Sequence, residues 1–131
     1  MDTPSQWIAC IWVGCGGFGG AIARYLVALL VNKKFAGNWP LATFVINVTG
    51  CLVLGAFVTY TSEKLVVDQR YVLLFPVGFV GAYTTFSTYE FELQRLVSVG
   101  EWGKALSYCL ASTVIGFLAV ILGTELARKL G

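Results

Sequence analysis

The chain has 131 residues, of which 57% are hydrophobic and only 12% charged, with nine Lys or Arg, seven Asp or Glu and no His. So apolar a composition excludes most classes of soluble domain and indicates a protein embedded in a lipid bilayer. The alternative, a soluble helical core, would need four apolar helices with almost no amphipathic partners to cover them. The four Cys form no CxxC pair and His is absent, which argues against a metal site built on thiolate and imidazole.

Four segments are long and apolar enough to cross the hydrocarbon core as helices, which takes about 20 residues. They are residues 7–31, 41–60, 71–98 and 104–126. The sequence therefore predicts an all-α integral membrane protein with a single transmembrane domain, residues 1–131. The four Cys lie within the spans and are interpreted as small buried apolar side chains.

Basic residues outside the spans predict no single orientation. An even number of spans places both ends of the chain on one side of the membrane. The residues divide evenly, with Lys64, Arg70, Arg128 and Lys129 on the side of the termini and Lys33, Lys34, Arg95 and Lys104 on the other. The positive-inside rule needs an excess on one face. The balance favours a chain that inserts both ways round and forms an antiparallel homodimer, and a single orientation set by weaker signals is the alternative.

Glycine dominates the first span. Residues 14–19 match the G-x-G-x-x-G string of dinucleotide-binding loops. No strand is predicted before the string and no acidic residue follows it until Glu63, so the context rejects a dinucleotide site. Gly16 with Gly20, and likewise Gly17 with Ala21, instead forms a small-xxx-small pair, which lets membrane helices approach closely.

Arg24 is the only charged residue of the first span. A charge at such a position faces a cavity or a partner, unless its long side chain reaches the interface instead. All charges between Asp2 and Glu63 are positive. Arg24 is therefore a candidate for a basic mouth that raises the local concentration of anions.

Asn47 lies in the middle of the second span and carries two N–H donors on its side-chain amide. One interpretation is an interhelical hydrogen bond, which is common in membranes. The other is a donor aimed at an anion in a pore. The residue type alone does not separate them.

Residues 84–90 interrupt the third span, because four of the seven are Ser or Thr, which hydrogen-bond the backbone and weaken a helix interior. Ser87 followed by Glu90 fits a capping box, so a helix is predicted to break and restart with Ser87 as its N-cap. A broken helix at membrane depth is tolerated only where the backbone is buried in protein or lines a watery cavity. The stretch therefore predicts a transport site.

Phe86 and Tyr89 are three residues apart and share a helical face. Core packing is one use for them. The other rests on the positive edges of aromatic rings, which can solvate a small anion when they point into a pore. Neutral donors that would bind an anion and still release it are Asn47, Ser87, Thr88 and Ser112. The Ser112 hydroxyl could equally bond back to its own helix.

Taken together, these motifs resemble the Fluc (CrcB) family of fluoride channels. The resemblance rests on residues 16–25, 43–50, 78–89 and 108–116, in the family's order and spacing. It covers nearly the whole chain. One departure is Tyr89, where the family usually has Phe.

The resemblance implies a channel and not an enzyme, with passive export of cytoplasmic fluoride through a multi-pass protein of the bacterial inner membrane. It implies an antiparallel, dual-topology dimer of identical chains or of paralogues. A structural sodium ion is implied at the dimer centre, held by the backbone carbonyls of Gly81 and Thr84. The implied pore residues are Asn47, Phe86, Ser87, Thr88, Tyr89 and Ser112, with Arg24 near an entrance.

Two alternatives compete with the channel. A small multidrug transporter also has four spans, but its exchange of protons for cations needs a membrane-embedded carboxylate. The first two spans contain none, and Glu90 and Glu92 follow the break near a span end. An accessory subunit that only packs against a partner is the second alternative.

Overall fold

A computed structural model describes residues 5–35, 37–63 and 68–130. Lys64, which was counted in the charge balance, lies outside these ranges. The described elements are α1 (Gln6–Lys34), α2 (Leu41–Glu63), α3 (Gln69–Val72), a π-helix (Leu73–Val80), α4 (Gly81–Tyr83), α5 (Phe86–Ser98) and α6 (Trp102–Leu130). All of the regular structure in these ranges is helical.

In the described part of the chain, four helical segments are long and apolar enough to cross a membrane. They are Gln6–Lys34, Leu41–Glu63, Gln69–Ser98 and Trp102–Leu130, the third being built from α3, the π-helix, α4 and α5. The prediction of four apolar helices is therefore confirmed. The helices extend a few residues beyond the predicted spans, where basic residues close the last turns of α1 and α6.

α1 packs against the π-helix through glycines. A Cβ on Gly16 would collide with the carbonyl oxygen of Leu74, and one on Gly20 would collide with that of Phe79. Gly17 has more room, since a Cβ there would meet nothing nearer than the Ala82 side chain at 3.8 Å. The Gly16 and Gly20 pair thus brings two helix backbones together, as the small-xxx-small pattern predicted.

α2 and α6 run parallel, in contact along their length. Near their C-terminal ends, Thr59 donates a hydrogen bond to Thr124 over 3.2 Å, and Arg128 pairs with Glu63 at 3.1 Å. A Cβ on Gly55 would collide with the backbone of Val120. This seam fixes α2, which meets the third segment at its break, whereas most of that segment packs against α1.

The third segment departs from a regular α-helix twice. Pro76 lies inside the π-helix, where its missing N–H cannot serve the helix ladder. Further along, Thr84 (φ −78°, ψ 159°) and Thr85 (φ −150°, ψ 118°) are extended, so α4 ends at Tyr83 and α5 begins at Phe86. The predicted interruption is confirmed.

The predicted N-cap of the restarted helix is wrong. Thr85, two residues before Ser87, caps α5, and its hydroxyl accepts a hydrogen bond from the Thr88 backbone N–H at 3.3 Å. The reason lies outside the local sequence. Asn47 of α2 hydrogen-bonds both peptide groups of Thr85, which is extended, and the helix restarts at Phe86, so Ser87 falls within its first turn.

Candidate functional site at the helix break

A cavity of about 580 Å³ opens beside the break. Its walls come from α2, the π-helix, α4, α5 and α6. Of the residues predicted to act in function, six line it: Asn47, Gly81, Thr84, Phe86, Tyr89 and Ser112. Residues from three separate spans therefore converge on one space, which the sequence order alone did not establish.

Asn47 is tied to the break by two hydrogen bonds. Its amide nitrogen donates to the Thr85 carbonyl over 3.1 Å, and its amide oxygen accepts from the Thr85 backbone N–H at 2.9 Å. The side chain thus matches the donor and acceptor of one backbone residue. The interhelical hydrogen bond, one of the two interpretations of Asn47, is present, and the amide still carries a second N–H.

Ser112 faces the same cavity from α6. Its Oγ is buried and has no hydrogen-bond partner among the residues that the structure describes. The neighbouring Thr113 behaves differently, since its hydroxyl donates back to the Cys109 carbonyl at 3.0 Å. A buried hydroxyl without a partner costs free energy, so Ser112 offers a donor to whatever occupies the cavity.

A row of aromatic rings leads away from the break. The ring centroids are separated by 5.8 Å from Phe86 to Tyr89, by 5.1 Å from Tyr89 to Tyr108, and by 5.1 Å from Tyr108 to Trp39. Phe86 is 73% exposed in the single chain, whereas Tyr108 is fully buried. The predicted pair Phe86 and Tyr89 is thus the beginning of a longer row.

The row ends at a second cavity of about 360 Å³, near the end of α1, the start of α2 and the end of α5. Its lining is mixed, with apolar residues beside the polar and charged side chains of Asn38, Glu92, Arg95 and Glu101. Phe86 and Tyr89 line the first cavity and Trp39 lines the second, so the aromatic row connects the two spaces.

Glu92 lies half-buried between these cavities, and the sequence interpretation did not assign it a role. Its carboxylate accepts two hydrogen bonds, from the Tyr108 hydroxyl at 2.8 Å and from the Thr43 hydroxyl at 2.9 Å. The predicted third span ran to residue 98, which already placed Glu92 inside it. That span boundary was the available signal, but the carboxylate was interpreted as lying near a span end.

Three predicted residues do not line either described cavity. Ser87 and Thr88 are exposed on the first turn of α5, where Thr88 accepts a hydrogen bond from the Thr85 hydroxyl at 3.0 Å. Arg24 is half-buried on α1. Thr88 is thus joined to the break through Thr85, whereas Ser87 and Arg24 lie outside both described cavities.

Comparison with known proteins gives a consistent result. Residues 11–124 match the model of the family described as CrcB-like protein, Camphor Resistance (CrcB). A protein of Acidobacterium capsulatum named fluoride-specific ion channel FluC is 39% identical over 120 residues, covering 92% of this chain and 96% of that protein. Proteins of the same name from Koribacter versatilis and a Synechocystis strain are 39% and 40% identical, covering 92% and 88% of this chain and 95% and 88% of theirs.

Proposed function

Because the chain belongs to the CrcB family, we propose that it is a fluoride channel that lets cytoplasmic fluoride leave the cell passively. It is a multi-pass membrane protein and not an enzyme, and the bacterial inner membrane is its proposed location. The observation that carries the proposal is the cavity at the break, where backbone, hydroxyl and aromatic groups from three spans converge.

The first cavity suits a small anion because its donors are neutral, although the carboxylate of Glu90 also lines it. Phe86 and Tyr89 would present ring edges, and Ser112 would supply the hydroxyl that lacks a partner. A site built from neutral donors binds an anion strongly enough to replace water and still releases it. Ser87, Thr88 and the free N–H of Asn47 would add donors along the path, with Arg24 near an entrance.

Glu92 fits the same proposal in spite of its charge. Its oxygens are occupied by the hydroxyls of Tyr108 and Thr43, which are also the donors that a fluoride ion needs. A fluoride ion entering from the second cavity would compete with the carboxylate for those hydroxyls. If the hydroxyls turned to the anion, the carboxylate would lose both donors, and water in the second cavity, which Glu92 lines, would have to replace them.

The break also suits a structural sodium ion. In an unbroken helix the Thr85 N–H would donate to the Gly81 carbonyl and the Thr88 N–H to the Thr84 carbonyl. Here those donors go to the Asn47 amide and to the Thr85 hydroxyl. Both carbonyls are thus released from the helix ladder, and carbonyl oxygens are ligands that a hard cation prefers.

The outward face of α5 supports the antiparallel homodimer. Ser87, Glu90 and Gln94 are exposed on the single chain although they lie within a membrane-spanning segment. Polar side chains at that depth are costly against lipid and are usually covered by protein or water. A second copy of the chain, or a paralogue, in the opposite orientation would cover them.

A liposome flux assay tests the function. We expect reconstituted protein to pass fluoride and to exclude chloride, with no dependence on a proton gradient, because the proposed donors are neutral groups. Ion-selective electrodes measure both fluxes in the same preparation. Equal passage of the two halides, or of neither, would refute the proposal.

Phe86→Ile is expected to lower fluoride flux about tenfold, equivalent to about 1.4 kcal/mol, because it removes a ring edge from the path and keeps an apolar side chain. The matched control is Phe117→Ile on α6, which removes a ring of comparable exposure (66%) away from the cavity. Size-exclusion chromatography checks that both variants keep the wild-type assembly. Normal flux through Phe86→Ile would remove this ring from the path.

Single cysteines test the orientation. In a cysteine-free background, a cysteine at Asn38, in the connection between α1 and α2, is expected to react with an impermeant thiol reagent from either side of the membrane. The expectation follows from the even distribution of Lys and Arg. Labelling from one side alone would exclude dual topology for the homodimer and direct the search to a paralogue.

A further inference from the structure

We infer that Asn47 is the positioning residue that keeps the helix break open, an inference that rests on the proposed function for its effect on conduction. The sequence interpretation weighed Asn47 as an interhelical contact or as a donor to an anion. The structure assigns it a third role, which is to compete with the helix's own hydrogen bond at the break.

The Asn47 amide oxygen and the Gly81 carbonyl oxygen are alternative acceptors for the Thr85 backbone N–H. If α4 continued into α5, the Thr85 N–H would donate to the Gly81 carbonyl. The Asn47 amide oxygen takes that N–H at 2.9 Å, and the Asn47 amide nitrogen donates to the Thr85 carbonyl at 3.1 Å. Because one side chain satisfies both polar groups of Thr85, the residue can stay extended at φ −150° without unpaired backbone.

α2 contacts each residue of the break in turn. The Thr49 hydroxyl lies 2.9 Å from the Tyr83 hydroxyl, just before the break. Gly50 lies against the Thr84 side chain so closely that a Cβ there would collide with the Thr84 Cγ2. Asn47 binds Thr85, the second extended residue of the break. A helix already fixed by its seam with α6 thus holds the break from one side.

The effect reaches the aromatic rings through Thr85. Held extended by Asn47, Thr85 turns its hydroxyl to the Thr88 N–H and so caps α5. The cap fixes where α5 begins, and Phe86 and Tyr89 lie in its first turn. Asn47 therefore orients the rings of the proposed path without being required to touch the ion.

Hydrogen exchange measured by mass spectrometry tests this on the whole protein. Asn47→Leu keeps a side chain branched at Cγ and removes both hydrogen bonds, so the amides of residues 84–88 should exchange about tenfold faster, since each lost hydrogen bond and the lost cap weaken local protection. Thr59→Val is the matched control. It removes an interhelical hydrogen bond of α2 far from the break, the one to Thr124, and should leave residues 84–88 at the wild-type rate.

A second pair of variants tests how closely α2 packs against the break, and it leaves the Asn47 amide in place. Gly50→Ala should also speed exchange of residues 84–88, and adding Thr84→Ser, which removes the obstructing Cγ2, should restore the wild-type rate. Unchanged or slower exchange at the break in Asn47→Leu overturns the inference, as does faster exchange spread evenly over all helices. The exchange rates can be measured and interpreted whether or not the protein passes fluoride. Failure of the proposed function would be seen separately, as absent fluoride flux in the wild type.

For a protein that conducts, flux separates positioning from direct binding. If Asn47 acts through Thr85, Asn47→Leu should lower the maximal fluoride flux and leave the half-saturating fluoride concentration unchanged. Asn47→Asp, which keeps the acceptor for the Thr85 N–H, should retain more of the exchange protection than Asn47→Leu. A shifted half-saturating concentration with wild-type exchange would make Asn47 an ion ligand and overturn the inference.

Discussion

Gly20→Ala is expected to cause one of the largest losses of stability that a single methyl group can produce in this chain. The new Cβ would collide with the carbonyl oxygen of Phe79, in the backbone of the π-helix. A backbone atom cannot turn aside as a side chain can, so α1 has to move away from the π-helix along much of its length. Overpacking of this kind typically costs about 1–3 kcal/mol, and the expected value lies at the upper end.

The measurement is thermal unfolding in detergent, followed by circular dichroism, with Gly17→Ala as the matched control. Gly17 is on the same helix, three residues earlier, but a Cβ there meets only ordinary contacts at 3.8 and 3.9 Å. Because Ala also favours helix over Gly by up to about 1 kcal/mol, Gly17→Ala should be neutral or stabilising. Equal effects from the two substitutions would show that close approach to the π-helix is not what Gly20 provides.

The contrast between Gly17 and Gly20 shows what the sequence could and could not predict. The spans, the glycine-mediated packing and the break all follow from residues close together in the chain, because apolar length, small-residue spacing and Ser or Thr content are local signals. From the sequence alone, Gly16 with Gly20 and Gly17 with Ala21 were equally good candidates for the close helix contact. Only the direction in which α1 faces the π-helix separates the two pairs.

The contacts that define the site join residues far apart in the chain. Asn47 and Thr85 are 38 positions apart, and Thr43 and Glu92 are 49 apart. Neither pair has a spacing that predicts contact, because their meeting depends on how two spans pack. The wrong N-cap has the same origin, since Ser87 has the right local pattern, whereas the residue that caps α5 is Thr85, which is hydrogen-bonded to the distant Asn47.

Tyr108→Phe is expected to lower the stability of the fold and, on the proposed conduction path, the fluoride flux, because the Tyr108 hydroxyl donates a hydrogen bond to Glu92. Tyr108 is fully buried, and its hydroxyl is one of two donors to a half-buried carboxylate. Hydrogen bonds to charged groups contribute about 1.5–3 kcal/mol, so the loss of this one should lower the free energy of unfolding by a similar amount. The matched control is Tyr71→Phe, which removes an exposed hydroxyl and should be neutral.

A double-mutant cycle assigns the effect to the carboxylate. In the Glu92→Gln background the charge that needs the hydroxyl is gone, so Tyr108→Phe should cost clearly less there than it does in the wild type. Thr43→Val should show the same dependence on Glu92, since its hydroxyl donates to the other carboxylate oxygen. If Tyr108→Phe costs as much in the Glu92→Gln background as in the wild type, the tyrosine acts through packing alone. Fluoride flux measured on the same variants then decides between the two roles of these hydroxyls. If the hydroxyls also bind the passing anion, flux should fall about tenfold in Tyr108→Phe. If their hydrogen bonds are purely structural, stability falls and the flux per folded protein is unchanged.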